Sequence, residues 1–216
     1  TDRFIEFVEL VANTIIDNDV ADVDALKEVV PAGQTEKIAD ILTERIATIG
    51  ENIQIRRFKR MIGNLFAYTH NGGGSIIGSM IKIEADDVDS DAVKACAKDL
   101  LLQITASAPQ FVAQDDVPAS VIEAEKEVQL KLVQNENEPK PQNVLEKIVD
   151  GRMRKFAEEI CLLDQPYVKD PNLTVAKFIA SVGKNIKVVE FVRFEKGEGI
   201  QKKEDDFAAE VASMVK

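Results

Sequence analysis

The sequence predicts a mixed fold of helices and antiparallel strands, and three observations carry that reading. Phe66, Tyr68 and His70 alternate with period two up to Asn71-Gly72-Gly73-Gly74, and the apolar run Ile76 to Ile83 follows, as a hairpin requires. On both sides of this stretch, apolar residues recur three and four apart, the spacing of helices that bury one stripe. After Pro118, two narrow apolar lines in a strongly charged background are separated by Pro139 and Pro141, the pattern of an antiparallel helical hairpin.

Taken in order, Phe4, Phe7, Val8, Val11 and Ile15 form the stripe of a first helix, which ends in the acidic run Asp17, Asp19, Asp22 and Asp24. A short helix over Ala25 to Val30 stops at Pro31. Thr35 is placed to cap the next, whose face holds Ile38, Ile41, Leu42, Ile46 and Ile49. Gly50 can take the left-handed conformation that closes it, and Ile53 and Ile55 begin a strand-like alternation. The Asn-Gly-Gly-Gly run supplies the positive φ angles of a reversal. The nearly continuous apolar run after it predicts a strand covered on both faces. A helix with Val93, Ala97, Leu100, Leu101 and Ile104 stops before Pro109. Ser120-x-x-Glu123 reads as a capping box opening the first arm of the helical hairpin, with Val121, Ala124, Val128 and Leu132 as its seam. The return arm carries Leu145, Val149, Met153, Phe156 and Ile160. Irregular chain through Gln165-Pro166-Tyr167-Val168 leads to a short helix with Val175, Phe178 and Ile179. A strand follows with Ile186, Val188, Val192 and Phe194, and a terminal helix carries Phe207, Val211 and Met214.

Composition narrows the function classes. A formal net charge of -11 and a pI near 4.7 argue against direct nucleic-acid binding or docking on an anionic membrane, both of which select basic surfaces. A protein or small molecule is the expected partner, and a cytoplasmic location is expected. Cys96 and Cys161 stand far apart without a C-x-x-C pair, which predicts buried, reduced thiols. His70 is the sole histidine and has no nucleophile motif or second ligand near it, so neither covalent catalysis nor a metal is expected. Gly72-Gly73-Gly74 lacks the Lys-Ser/Thr and helix start of a phosphate loop, so no cofactor is expected. Residue chemistry alone leads to an acidic protein with a helical hairpin that binds other proteins.

Five stretches in register extend this reading: Ile49-Gly-Glu-Asn-Ile-Gln-Ile-Arg-Arg57, Gly151-Arg-Met-Arg-Lys-Phe156, Asp164-Gln-Pro-Tyr-Val168, Val192-Arg-Phe-Glu-Lys-Gly-Glu-Gly-Ile200 and Asp206-Phe-Ala-Ala-Glu-Val211. Together they resemble the bacterial elongation factor Ts family, the nucleotide-exchange partner of elongation factor Tu. The resemblance implies an α+β fold of two similar subdomains with antiparallel sheets and packed helices, an inserted antiparallel coiled-coil hairpin and a C-terminal helix. It places an N-terminal core subdomain at 1–62, a C-terminal core subdomain at 63–117 and 161–199, the hairpin at 118–160 and the C-terminal module at 200–216.

The implied function is guanine-nucleotide exchange on elongation factor Tu, without covalent chemistry. Ile49, His70 and Val168 match positions that meet the partner, and Phe207 and Val211 match a helix that docks on its GTPase domain. Lys169 departs from the family, in which that position is often apolar. The family's three-helix front domain, first strands and Thr-Asp-Phe-Val motif have no match. Thr1-Asp2-Arg3-Phe4 aligns instead with the helix after that motif, which points to a chain lacking an N-terminal piece. The role of a coiled-coil adaptor without exchange activity is the competing class, and a homodimer is left open.

Overall fold

In the first sixty residues, the apolar stripes expected of helices do form helices, but not all of each stripe is buried. The computed structural model describes residues 2–134 and 141–200, and the chain divides into the units Thr1–Ile62 and Gly63–Lys216. In the first unit, α1 (Asp2–Asp17), α2 (Val23–Lys27) and α3 (Ile38–Ile49) enclose Phe7, Val11, Ile15, Leu26, Ile38 and Ile41. Phe4 and Val8 lie off this line and stay 43% and 48% exposed, because the cluster is filled from positions four apart beginning at Phe7. Asp22 caps α2 by accepting the Ala25 N–H at 2.8 Å. At the start of α3 the cap position belongs to Lys37, not Thr35, and no side chain closes it. Gly50 ends α3 with φ of 80°, its N–H donating to the Ile46 carbonyl at 2.9 Å.

The strand expected from Ile53 does not form. Residues 51–62 carry no ladder, although Ile53, Ile55 and Phe58 pack against the α1/α3 cluster. Alternation buries one side of such a segment, but a strand also needs a neighbour for its N–H and C=O groups, and none of the described strands pairs there.

In the second unit, β1 (Leu65–Gly72), β2 (Ser75–Glu84) and β5 (Lys187–Glu195) form an antiparallel sheet with β2 in the middle. Gly72 pairs with Ser75, so the loop is Gly73-Gly74 alone, and Asn71 and Gly72 belong to the strand. The loop residues have φ of 62° and 83°, the two positive values of a type I′ turn, whose twist suits a hairpin.

β2 is covered on one face only, contrary to the expectation from its apolar run. Ile77, Ser79, Ile81 and Ile83 are buried, whereas Ile76 on the opposite face is 41% exposed. The buried face meets α4 (Asp91–Ser107), whose Val93, Ala97, Leu100, Leu101 and Ile104 form the core with Val175 and Ile179 of α7 (Val175–Val182) and Val188 of β5. A three-stranded sheet with one helical layer has only one side to bury.

The charged segment forms α5 (Ala119–Gln134) and α6 (Gln142–Ile160), which pack mainly on each other. Leu145, Val149, Met153, Phe156 and Ile160 face inward as expected. The first arm is rotated: Val133 is buried and Gln129 bonds to Arg152 at 3.3 Å, while Val128 and Leu132 remain 48% and 50% exposed. Ser120 lies inside α5, whose first N–H groups bond to the Pro118 carbonyl, so the expected capping box is absent. After α6 the chain forms the small pair β3 (Pro166–Tyr167) and β4 (Asp170–Thr174), which precede α7.

Both cysteines are free and buried, and desolvation pushes each thiol up to about 11. Iodoacetamide at pH 8 is therefore expected to leave Cys96 and Cys161 unmodified in the native chain and to modify both in denaturant, as read by mass spectrometry. Replacing Gly73 and Gly74 together by alanine forces two L-residues to positive φ, at a cost of about 2 kcal/mol in urea unfolding. Unchanged stability would refute the turn geometry.

Candidate functional site

The site is best built from α4, because its side chains hold the loop that the sequence singled out. Asp99 and Gln103 lie four residues apart, hence on one helix face. Asp99 accepts the Tyr167 hydroxyl at 2.6 Å and the Lys169 ammonium at 2.5 Å. Gln103 is completely buried, and its Oε1 accepts the Val168 N–H at 2.7 Å. Its Nε2 faces Gln165 Oε1 and Ser107 Oγ at 3.1 Å and the Pro166 carbonyl at 3.2 Å. Gln165, also buried, donates in turn to the carbonyls of Glu159 at 2.9 Å and Ser107 at 3.3 Å. The Gln-Pro-Tyr-Val motif thus has a physical reading: glutamine enters the core network, tyrosine anchors on Asp99, and valine is left facing outward.

Tyr167 stacks on Phe178 with ring centroids 4.1 Å apart. Burial, with the Asp99 carboxylate as the next cause, raises its phenol well above the usual range, so it stays protonated and donates.

Val168, 46% exposed, lines a groove of about 560 Å³ together with His70, Ile77, Leu102, Thr105, Ala106, Lys169 and Arg193. His70 reaches it from the end of β1, directly opposite Ile77 on β2. The Tyr68 hydroxyl stands 3.4 Å from His70 Nδ1 on the same strand face. A Cβ on Gly72 would come within 3.3 Å of His70 Nε2, so glycine there leaves room for the imidazole. Arg193 is held by Glu195 at 2.7 Å and points its Nε at the Thr105 carbonyl at 3.4 Å. Glu195 also accepts from Ser75, whose hydrogen bond, with that of Arg193, holds its carboxyl below the usual range.

The arrangement suits binding. The floor is apolar, the cations at the rim already have intramolecular carboxylates, and His70 meets the Tyr68 hydroxyl. Among the described residues no group of three or more His, Cys, Asp or Glu is placed to hold a metal ion, and no helix is long and apolar enough to cross a membrane.

His70 and Val168, about a hundred residues apart in sequence, are therefore brought to one groove. Ile49 belongs to the other unit, where it is the half-buried last residue of α3, set against the left-handed Gly50. Phe207 and Val211 lie outside the described residues. Sequence reasoning missed Gln103 and Asp99. Their one available signal was a polar residue on the apolar stripe of a helix, at Gln103 between Leu100 and Ile104.

The family model described as Elongation factor TS matches residues 1–198. The elongation factor Ts of Syntrophotalea carbinolica is 40% identical over 99% of this chain and 72% of its own length. That of Idiomarina loihiensis is 43% identical over 99% of this chain and 69% of its own length, and that of Clostridium kluyveri 40% identical over 98% and 70%. With the α+β architecture and near-complete coverage, these similarities establish that the chain belongs to the elongation factor Ts family.

Proposed function

We propose that this chain binds nucleotide-free elongation factor Tu and thereby promotes release of GDP. The observation that carries the proposal is the convergence of His70 and Val168, two positions with a contact role in the family resemblance, on one preformed groove. Ile49 on the first unit, and Phe207 and Val211 beyond the described residues, are the further contacts. The two units serve as the similar core subdomains, residues 118–160 as an inserted coiled-coil arm, and 200–216 as the module that docks on the GTPase domain. The site of action is the cytoplasm.

The mechanism is thermodynamic linkage. A factor that binds the empty GTPase more tightly than the GDP form must weaken GDP binding by the same ratio. No bond in a substrate is made or broken. The groove's share is affinity: an apolar side chain of the partner that enters it leaves water for Ile77, Leu102, Ala106 and Val168. The hydrogen bonds that hold the loop exist before binding, so little ordering cost is incurred on association.

Size-exclusion chromatography of this chain with nucleotide-free elongation factor Tu is expected to give a complex that excess GDP dissolves. A complex indifferent to GDP would reject exchange, and the absence of any complex would reject the partner. His70→Ala and Val168→Ala are each expected to weaken binding by about tenfold in titration calorimetry. Their combination is expected to cost less than the product, because both line one groove. The net charge of -11 predicts that association with basic patches on the partner slows as salt rises from about 0.05 to 0.5 M in stopped-flow measurements. Equal rates at both ends would remove electrostatic steering.

A further inference from the structure

We infer that Gln103 is a positioning residue for the groove: its buried amide fixes where Val168 stands, and through Val168 it sets the affinity for the partner. The inference rests on the docking role proposed for the groove.

Gln103 is fully buried on α4, flanked by the buried apolar residues Leu100 and Ile104. A primary amide at such a place is retained only if its polar atoms are satisfied. Here they are, and the way they are satisfied fixes its orientation. Val168 offers an N–H, so the atom 2.7 Å away must be the amide oxygen. The Nε2 end then faces three oxygens at 3.1 to 3.2 Å, from Ser107, Gln165 and Pro166, which share its two hydrogens. Flipping the amide would set N–H against N–H at Val168 and oxygen against oxygen at Gln165. The network therefore has one low-energy arrangement, and the backbone at Val168 has one place to be.

Val168 and Lys169 form the two-residue turn of the β3/β4 hairpin, closed by the pairing of Tyr167 with Asp170, so the ladder brackets Val168 and leaves its N–H to Gln103. The side chain of Val168 is 46% exposed and is not among the buried residues of the core. Its neighbours are anchored on Asp99, through the Tyr167 hydroxyl and the Lys169 ammonium, so α4 grips three consecutive residues by two side chains one turn apart. The middle grip is the one on the residue that lines the groove.

The test uses Gln103→Met, which keeps length and removes both hydrogen-bonding ends, together with Val168→Ala and the double variant. Hydrogen exchange in the full chain is expected to show the Val168 amide losing protection by at least tenfold, while Ile81 and Ile83 on β2 keep theirs. Affinity for the nucleotide-free GTPase is expected to fall about tenfold in Gln103→Met. In the Val168→Ala background the same change is expected to alter affinity less than twofold. Unchanged exchange at Val168, full additivity of the two variants, or lowered thermal stability with unaltered affinity would each overturn the assignment. If Gln103→Met does not fold, Gln103→Asn, which retracts the amide by one methylene, is read in the same way. Failure of the unaltered chain to bind would instead reject the proposed partner, and the exchange of the Val168 amide would then decide the positioning role alone.

Discussion

The contact on which the second unit depends is the burial of α4 against the inner face of β2. Leu100, Leu101 and Ile104 close on Ile81, Ile83 and Val188, and each such side chain contributes roughly 1.5–3 kcal/mol by leaving water. A satisfied amide hydrogen bond contributes only about 0.5–1.5 kcal/mol net. The apolar layer therefore decides where α4 sits, and the polar residues on its flank act from that fixed place. Once the helix is seated, Asp99 and Gln103 are presented to the segment after α6, and Leu102, Thr105 and Ala106 become one wall of the groove. The groove is thus a consequence of core packing.

What was legible in the sequence follows from what is local. The helices declared themselves by spacing, Gly50 by its place after the stripe of α3, and the hairpin by its glycines. The departures share a different cause, which is the identity of the neighbour. Ile53 and Ile55 alternate as a strand would, yet alternation records only which side is buried and not whether a partner strand exists. The apolar run of β2 suggested two covered faces, but Ile76 and Met80 face away from α4, the helix packed on the sheet. Val128 and Leu132 looked like a seam, and the helix pair instead closes on Val133, with Gln129 bonded to Arg152.

The site shows the same division. His70 and Val168 were singled out by resemblance to a family, and nothing in their spacing says that they share a groove. The groove exists because β1 ends opposite Ile77 and because α4 holds the segment through Gln103. Gln103 left almost no trace in the sequence, since a single glutamine on a helical stripe is ordinarily a surface residue. Its meaning lies in Gln165 and Val168, more than sixty residues away, and becomes visible only when the three are placed together.

Affinity and exchange make different demands on such a surface. The field of an acidic chain acts over about a Debye length and governs how fast a partner arrives. In the proposed complex, lifetime is set at short range, where Lys169 and Arg193 are already paired with Asp99 and Glu195 and the apolar lining dominates. A groove that grips its partner equally in every nucleotide state raises affinity and leaves GDP release unchanged, because only differential binding shifts an equilibrium. A rigid groove around His70 and Val168, held by hydrogen bonds that exist before docking, suits the first task, a constant grip. In the proposed role, the discrimination that loosens GDP then has to come from contacts whose geometry changes with the nucleotide, and the groove keeps the partner in place while they act.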